Sequence, residues 1–476
     1  MALPVVERAW HWPRGWRLAV ALGGPVAAAW GAWGISGLMD PGLEPAALIT
    51  LAVLLLAALF WATEPVPAVA TSLAVVGVLT ALVGVPGTLG AWWAKDVGGW
   101  ERFIAPAASP LMLLMLGSLV LSAGAQRTGL DRALGAVLLK RFAGSPRRLV
   151  VGVLLVSALL SMWTSNTATA AIMLAVTRPV WSRGDLARST RAGVALAAAL
   201  GANCGGIATP IGTPPNTIVF MLLQRHGQGF DFVRWMLVGV PVSAIILGVS
   251  AVGLLALVKP GREPATLDLA PASVAGEPPP RWAGPAAGGI FALTVALWLT
   301  SPWTGIPVAA AALVPLVFFP ALGILRPSDL NRLEWDVLLL ILGGLVLGGA
   351  MEWTGLASRL VQALPIETLP TLGVVASIAV VAVVLSSFMS NTAVANLLCP
   401  VGLGIASAMP GGAMQAVGLA IAFASSSAMV FPVSTPPNAL AYRTGLFGAG
   451  TLMAVGSAAG VAGVLAVLAL ARLVFV

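Results

Sequence analysis

The chain has 476 residues, 59% of them apolar and 9% charged, with a mean hydropathy of +0.97. Soluble domains carry about 25% charged residues, so a soluble globule is excluded, and the short alternating segments of a β-barrel are missing. The net charge of +8 reads as topology signal in a membrane chain, and no nucleic-acid partner is expected.

Apolar runs long enough to cross a bilayer fall near 17–35, 46–62, 66–85 and 109–126. The basic, aromatic stretch 1–16 has no small-residue cleavage site behind it, so no cleaved signal is expected. Residues 130–142, "LDRALGAVLLKRF", are amphipathic and suit a helix lying in the interface. An apolar segment at 147–182 is interrupted by "SMWTSNTATA", and another at 191–223 by "GTPPN". A clean span follows near 232–257, and then a Pro-, Glu- and Asp-containing connector of linker composition.

After the connector the pattern starts again. "LGSLVLSAGAQRTGL" (116–130) returns as "LGGLVLGGAMEWTGL" (342–356). "SMWTSNTATA" (161–170) returns as "SFMSNTAVAN" (387–396), and "IGTPPNTIVF" (211–220) as "VSTPPNALAY" (433–442). From Leu116 to Leu342, Ser165 to Ser390 and Thr213 to Thr435 the offsets are 226, 225 and 222 residues. Ordered polar motifs at nearly constant offset mark two structural repeats. The expected organisation is an N-terminal segment and first span (1–45), repeat 1 (46–257), a cytoplasmic linker (258–284) and repeat 2 (285–476). Repeat 1 holds an inner hairpin (147–182) and a broken helix (191–223). Repeat 2 holds an outer hairpin (369–405) and a broken helix (414–443).

If the two hairpins are re-entrant, about eleven spans of some 20 residues remain. Most of the 25 Lys and Arg residues then fall on the N-terminal side, which makes that side cytoplasmic and the C-terminus external. An odd number of spans separates equivalent points, so the repeats have opposite orientations, as in secondary transporters. The fold class is therefore an all-α polytopic membrane protein of the plasma (inner) membrane with inverted-topology repeats.

Polar, non-helical backbone at membrane depth is tolerated only inside protein or along a water-filled cavity. Tandem prolines remove two N–H donors and disfavour helix just before them. The carbonyls upstream of each proline pair, with the Ser and Asn side chains, offer hard neutral oxygen ligands for a small monovalent cation. No Asp or Glu lies within 147–182, 191–223 or 369–443, so Na+ outranks H+ as coupling ion. Helices restarting after Thr167, Asn216, Thr392 and Asn438 aim positive ends at the centre and favour an anion, a carboxylate above all. One Ser-Asn-Thr triplet alone reads as interhelical packing; its recurrence, with a serine four residues upstream, reads as a site. Glu64, between Thr63 and Pro65, suits turn and capping duties, and Asp336 and Glu352 read as interfacial. The tryptophans read as interface anchors, with Trp163 placed to pack the hairpin tip. His11 and His226 fall in polar connectors and read as solvated. Cys204 and Cys399 lie in apolar segments outside any ligand cluster, so neither disulfide nor metal chemistry is expected of them.

These motifs, with "FWATEPVPAVATSLAVV" and "LEWDVLLLILGGLVLGGAMEWTGLA", resemble the divalent-anion:sodium symporter family of dicarboxylate, citrate and sulfate carriers. The resemblance implies a homodimer with a scaffold and a mobile transport domain working as an elevator. It implies one Na+ site from Ser161, Ser165, Asn166 and the Gly212 carbonyl, and another from Ser386, Ser390, Asn391 and the Ser434 carbonyl. Substrate carboxylates would meet Ser165, Asn166, Thr167, Thr213, Pro214, Ser390, Asn391, Thr392, Thr435 and Pro436. One departure is Met173-Leu174-Ala175, where many relatives carry proline; the second hairpin keeps Leu398-Cys399-Pro400. The reading is Na+-coupled symport of a small dianion, a C4-dicarboxylate such as succinate, malate or fumarate. A sodium-independent dicarboxylate exchanger and a citrate or sulfate carrier stay open as alternatives. An enzyme would need a nucleophile–base pair, a metal cluster or a carboxylate dyad, and none is legible.

Overall fold

The computed structural model describes residues 13–39, 43–85, 99–142, 144–182, 186–258, 280–363, 370–409 and 411–475. Among them every regular element is helical, as a chain that must satisfy its backbone polar groups in lipid requires. Eight described helices are long and apolar enough to cross a bilayer: Gly15–Gly37, Pro45–Thr63, Glu101–Thr128, Phe232–Leu257, Ala283–Thr304, Trp335–Trp353, Thr371–Phe388 and Ala449–Phe475. The span expected at 66–85 is Ala68–Leu79 continued by a widened turn, Thr80–Gly84. The amphipathic segment forms Leu130–Leu139, with Leu134 and Val137 exposed. Residues 259–279 of the expected linker fall outside the described residues, as does His11.

The two interrupted segments each fold into a helix, a tight polar turn and a second helix. The first runs Pro146–Ser161 and Asn166–Val176; its opening turn is capped by Ser145, whose hydroxyl accepts from the Arg148 N–H. At 16 and 11 residues, neither arm reaches the roughly 20 residues that a crossing needs. The second runs Thr371–Phe388 and Asn391–Ser407. Its return arm continues through Pro400, whereas the first hairpin's return arm stops at Thr177 and turns into Arg178–Trp181.

The two proline-pair segments are broken as the sequence leads one to expect. Arg188–Gly206 and Pro214–Arg225 flank the first gap, and Ala413–Ser426 and Pro436–Tyr442 flank the second. The helices restart on the prolines themselves, at the first two helical positions, not after the asparagines. Proline is tolerated there because those N–H groups would have no helical partner anyway.

Small residues let these parts approach closely. Gly201 and Gly205 lie four apart on Arg188–Gly206 and face Pro146–Ser161. A Cβ on Gly201 would strike the Leu154 carbonyl, and one on Gly205 the Ala158 backbone. Backbone-to-backbone contact of this kind is how membrane helices gain dispersion energy without a hydrophobic drive between them. The two halves of the chain interlock. Asn166–Val176 packs on Pro436–Tyr442, and Asn391–Ser407 packs on Pro214–Arg225, so each hairpin's return arm leans on the other half's restarted helix.

Candidate functional site

The two tips have matching backbones. Ser165 has φ −55°, ψ 135° and Ser390 φ −67°, ψ 140°, each as the residue capping its return helix. The two restarts match as well: Thr213 lies at φ −138°, ψ 148° and Thr435 at −141°, 147°. In each tip the upstream serine bonds to the asparagine. Ser161 Oγ lies 2.5 Å from Asn166 Oδ1, and Ser386 Oγ lies 2.9 Å from Asn391 Oδ1. Ser161 and Ser386 are fully buried, while Ser165, Asn166, Thr167, Ser390 and Asn391 are half-buried at the turn, and Thr392 is buried.

The first tip closes on the first break. A Cβ on Gly206 would meet the Asn166 amide and the Thr213 methyl, and one on Gly212 would meet the Gly206 backbone. Only glycine at both positions lets the two ends of the gap and the tip share this space. The Asn166 amide has two orientations related by a half-turn. With nitrogen inward it donates to Ser161 Oγ (2.5 Å), Ala202 O (3.1 Å) and Gly212 O (3.3 Å). With oxygen inward, the Ser161 hydroxyl donates to it and the two carbonyls face its oxygen. The Thr209 hydroxyl also donates to Met162 O, at 2.5 Å, tying gap to tip. The second tip closes on the second break through Ser434, whose hydroxyl donates to Ser387 O at 2.9 Å.

The proline-pair asparagines have a use that the motif alone does not reveal. Asn216 Nδ2 donates to Gly206 O, Ile207 O and Thr209 O at 3.0, 3.1 and 2.8 Å. Asn438 Nδ2 donates to Met429 O and Phe431 O at 3.0 and 3.2 Å. Both amides pin the carbonyls of the gap before them, so they are not free donors for an anion. The Asn438 N–H is also taken, by Thr435 Oγ1 at 3.3 Å. The N–H groups expected at these two restarts are therefore fewer than at the hairpin tips, because proline supplies none.

The gaps are joined to each other. Asn203 Nδ2 donates to Thr435 Oγ1 and to Asn438 Oδ1, both at 3.0 Å. Thr213 Oγ1 lies 3.1 Å from Ser426 Oγ. Asn203 is a residue that motif reasoning missed; an asparagine inside the helix "ALGANCGG" was the available signal. Glu334 is another. Its sequence position, before the Trp335–Trp353 helix, gave no hint that Oε1 accepts from Ser165 Oγ at 2.9 Å.

Three further expectations can be placed. Trp163 packs the tip, stacked on Phe232 with centroids 6.3 Å apart, and Phe232 stacks on Trp298 at 5.8 Å. Glu64 sits in the left-handed region, φ 47°, as the residue ending Pro45–Thr63, with its N–H on Phe60 O. His226 is not simply solvated: its Nε2 lies 3.6 Å from Glu352 Oε1, and Arg225 Nη2 lies 3.6 Å from Glu352 Oε2. Glu352 lies at the end of Trp335–Trp353, and the cluster borders a cavity of about 470 Å3 reached also by Asn391–Ser407.

The model of the family described as citrate transporter matches residues 58–424, and again 295–476. The chain belongs to this family. Curated relatives point the same way. A sodium-dependent dicarboxylate transporter, SdcS, of Staphylococcus saprophyticus is 25% identical over 450 residues, 87% of this chain and 83% of the relative. The sodium-dependent high-affinity dicarboxylate transporter 3 of Caenorhabditis elegans is 24% identical over 447 residues, 82% and 76% of the two chains. An uncharacterized transporter of Haemophilus influenzae is 27% identical over 431 residues, 84% and 86%. Among solved structures, the YdaH transporter of Alcanivorax borkumensis shares the fold, with a TM-score of 0.53 at 16% identity over 89% of this chain and 97% of that one. The resemblance to divalent-anion:sodium symporters therefore holds. The citrate-transporter-family chain is a multi-span secondary transporter, and its family and relatives are transporters, not enzymes.

Proposed function

We propose that this transporter carries a small divalent anion, a C4-dicarboxylate such as succinate, malate or fumarate, into the cell in symport with Na+. The observation that carries the reading is the oxygen cluster about Asn166. Ser161 Oγ, Ala202 O and Gly212 O converge on one amide position. A protein-only state satisfies it with the amide nitrogen inward. With Na+ bound, the amide turns and presents Oδ1, and neutral hard oxygens then surround a monovalent cation. Ser165 completes this site, and Ser386, Ser390, Asn391 and the Ser434 carbonyl form the equivalent one in the second half. The names of the dicarboxylate-carrying relatives support both ion and substrate.

The dianion lies between the tips, on Ser165-Asn166-Thr167 and Ser390-Asn391-Thr392, with Thr213-Pro214 and Thr435-Pro436 behind. Helix N-termini supply the positive ends. No Lys or Arg lies within 149–177, 192–224 or 370–442, so bound Na+ offsets the substrate's charge. Both hairpins and both broken helices move together, as the transport domain of an elevator, against a scaffold through which the protein forms a homodimer. Repeats of opposite orientation give the two faces of the alternating-access cycle. The N-terminus is cytoplasmic and the C-terminus external. Citrate is the second reading, favoured by the description of the family itself.

The test is equilibrium binding of succinate, malate, 2-oxoglutarate, citrate and sulfate to purified protein, with Na+ and with choline in its place. A C4-dicarboxylate that binds only with Na+ supports the reading. Binding that is equal in the two cations for every dianion contradicts it.

A further inference from the structure

The two hairpin tips share a backbone geometry but not a serine partner. In the second tip the Ser390 hydroxyl accepts from the Ala393 N–H at 3.2 Å and caps its own helix. In the first, Ser165 makes no such cap; its hydroxyl donates to Glu334 Oε1, 169 residues away in sequence, at 2.9 Å. The φ and ψ values of the two serines differ by little more than ten degrees, so the backbone does not cause the difference. Glu334 does. Its side chain does not cap the Trp335–Trp353 helix that it precedes, and is spent on the tip instead. The result is a carboxylate held at the N-terminal end of Asn166–Val176, whose first N–H groups lack the serine cap that the other hairpin has.

We infer that Glu334 is a tethered carboxylate competitor: it fills the carboxylate position of the first tip while substrate is absent, and the incoming dianion must displace it from Ser165. The inference rests on the proposed placement of substrate at the tips. Two carboxylates cannot share one hydroxyl donor, and like charges a few ångströms apart repel strongly in a half-buried site. Glu334 is therefore a specificity-determining residue. It weakens binding of any single carboxylate at the first tip, so that a ligand must also hold the second tip to win, and this favours dianions over monoanions. It also links Trp335–Trp353 to the hairpin only when the site is empty.

Two measurements test it. In Ser165→Cys/Glu334→Cys protein a short bis-thiosulfonate should cross-link the pair; absence of a cross-link overturns the contact, whatever the substrate. In Na+-containing binding assays, Glu334→Gln and Glu334→Ala should bind the best wild-type dianion about tenfold tighter and should gain affinity for the matching monocarboxylate. Affinity that stays at the wild-type value, or weakens, in both variants overturns the competitor. If wild-type protein binds no dianion in Na+, the function proposed above fails, and the cross-link still decides whether Glu334 reaches the tip. Size-exclusion profile and thermal midpoint establish that each variant is folded.

Discussion

The Asn203 amide nitrogen lies 3.0 Å from Oδ1 of Asn438 and bonds one broken helix directly to the other. The same nitrogen reaches Thr435 Oγ1. Asn203 is buried, so removal strands the buried Asn438 Oδ1, which costs about 1–3 kcal/mol when water cannot replace the donor, while Thr435 Oγ1 keeps the Asn438 N–H. Asn203→Ala is expected to lower initial uptake more than tenfold and to lower the thermal midpoint by several degrees. Wild-type uptake by the variant would show that the two gaps act independently.

Neighbouring glycines separate folding from site geometry. Gly205→Ala drives a methyl into the Ala158 backbone, where neither helix can yield cheaply, and overpacking of this kind costs about 1–3 kcal/mol. Gly206→Ala instead drives it into the Asn166 amide. The expected outcome is that Gly205→Ala lowers thermal stability in Na+ and in choline alike. Gly206→Ala should mainly lose the stabilisation that Na+ adds. A differential thermal scan in the two salts checks this.

Much of this was legible in the sequence, and the reasons are physical. Ser-Asn-Thr and Thr-Pro-Pro-Asn are polar or helix-breaking groups in an apolar background, and their order in both halves located two hairpins and two gaps. Local chemistry also gave the capping role of Glu64. What the sequence hid is long-range. Asn203 meets Asn438 across 235 residues, and Ser165 meets Glu334 across 169. The exclusion of carboxylates from the polar segments was correct as sequence and incomplete in space, because Glu334 arrives from another helix. Asn216 and Asn438, read from the sequence only as places where helices restart, hold the gap carbonyls with their amides.

The Arg225–His226–Glu352 cluster gives a pH dependence. The Glu352 carboxylate, 3.6 Å from Nε2, raises the His226 pKa above its usual 6.5, with burial opposing. The histidine's contribution is fully present below its unfolded value and lost as pH rises through its raised one. The contact therefore weakens as pH rises through His226's raised value. Moving from pH 6 to pH 8.5 should loosen the His226 contact and leave the Arg225 pair. His226→Gln should remove that pH step in thermal unfolding; an unchanged step would contradict the pairing.

Asp131 contributes at lower pH. Burial pushes its carboxyl up to about 6; Oδ1 accepts from the Arg132 N–H at 2.7 Å, and Oδ2 has no partner among the described residues. A raised acid gives stability that is whole below its unfolded value and is lost as pH rises through the folded one, here at most about 3 kcal/mol. Asp131→Asn is expected to raise the thermal midpoint at pH 8 and change little at pH 4. Equal effects at both values would show that Asp131 is not the titrating group.

The central claim is that Na+ bound around Asn166 and Asn391 drives entry of a dicarboxylate. Its most direct measurement is uptake of labelled succinate, malate and fumarate into proteoliposomes under an inward Na+ gradient, compared with choline, for wild type, Asn166→Ala and Asn391→Ala. The account predicts uptake of at least one of these by wild type that needs the Na+ gradient, and none above background in either variant although both remain folded. Uptake indifferent to Na+, or full activity in either variant, would contradict it.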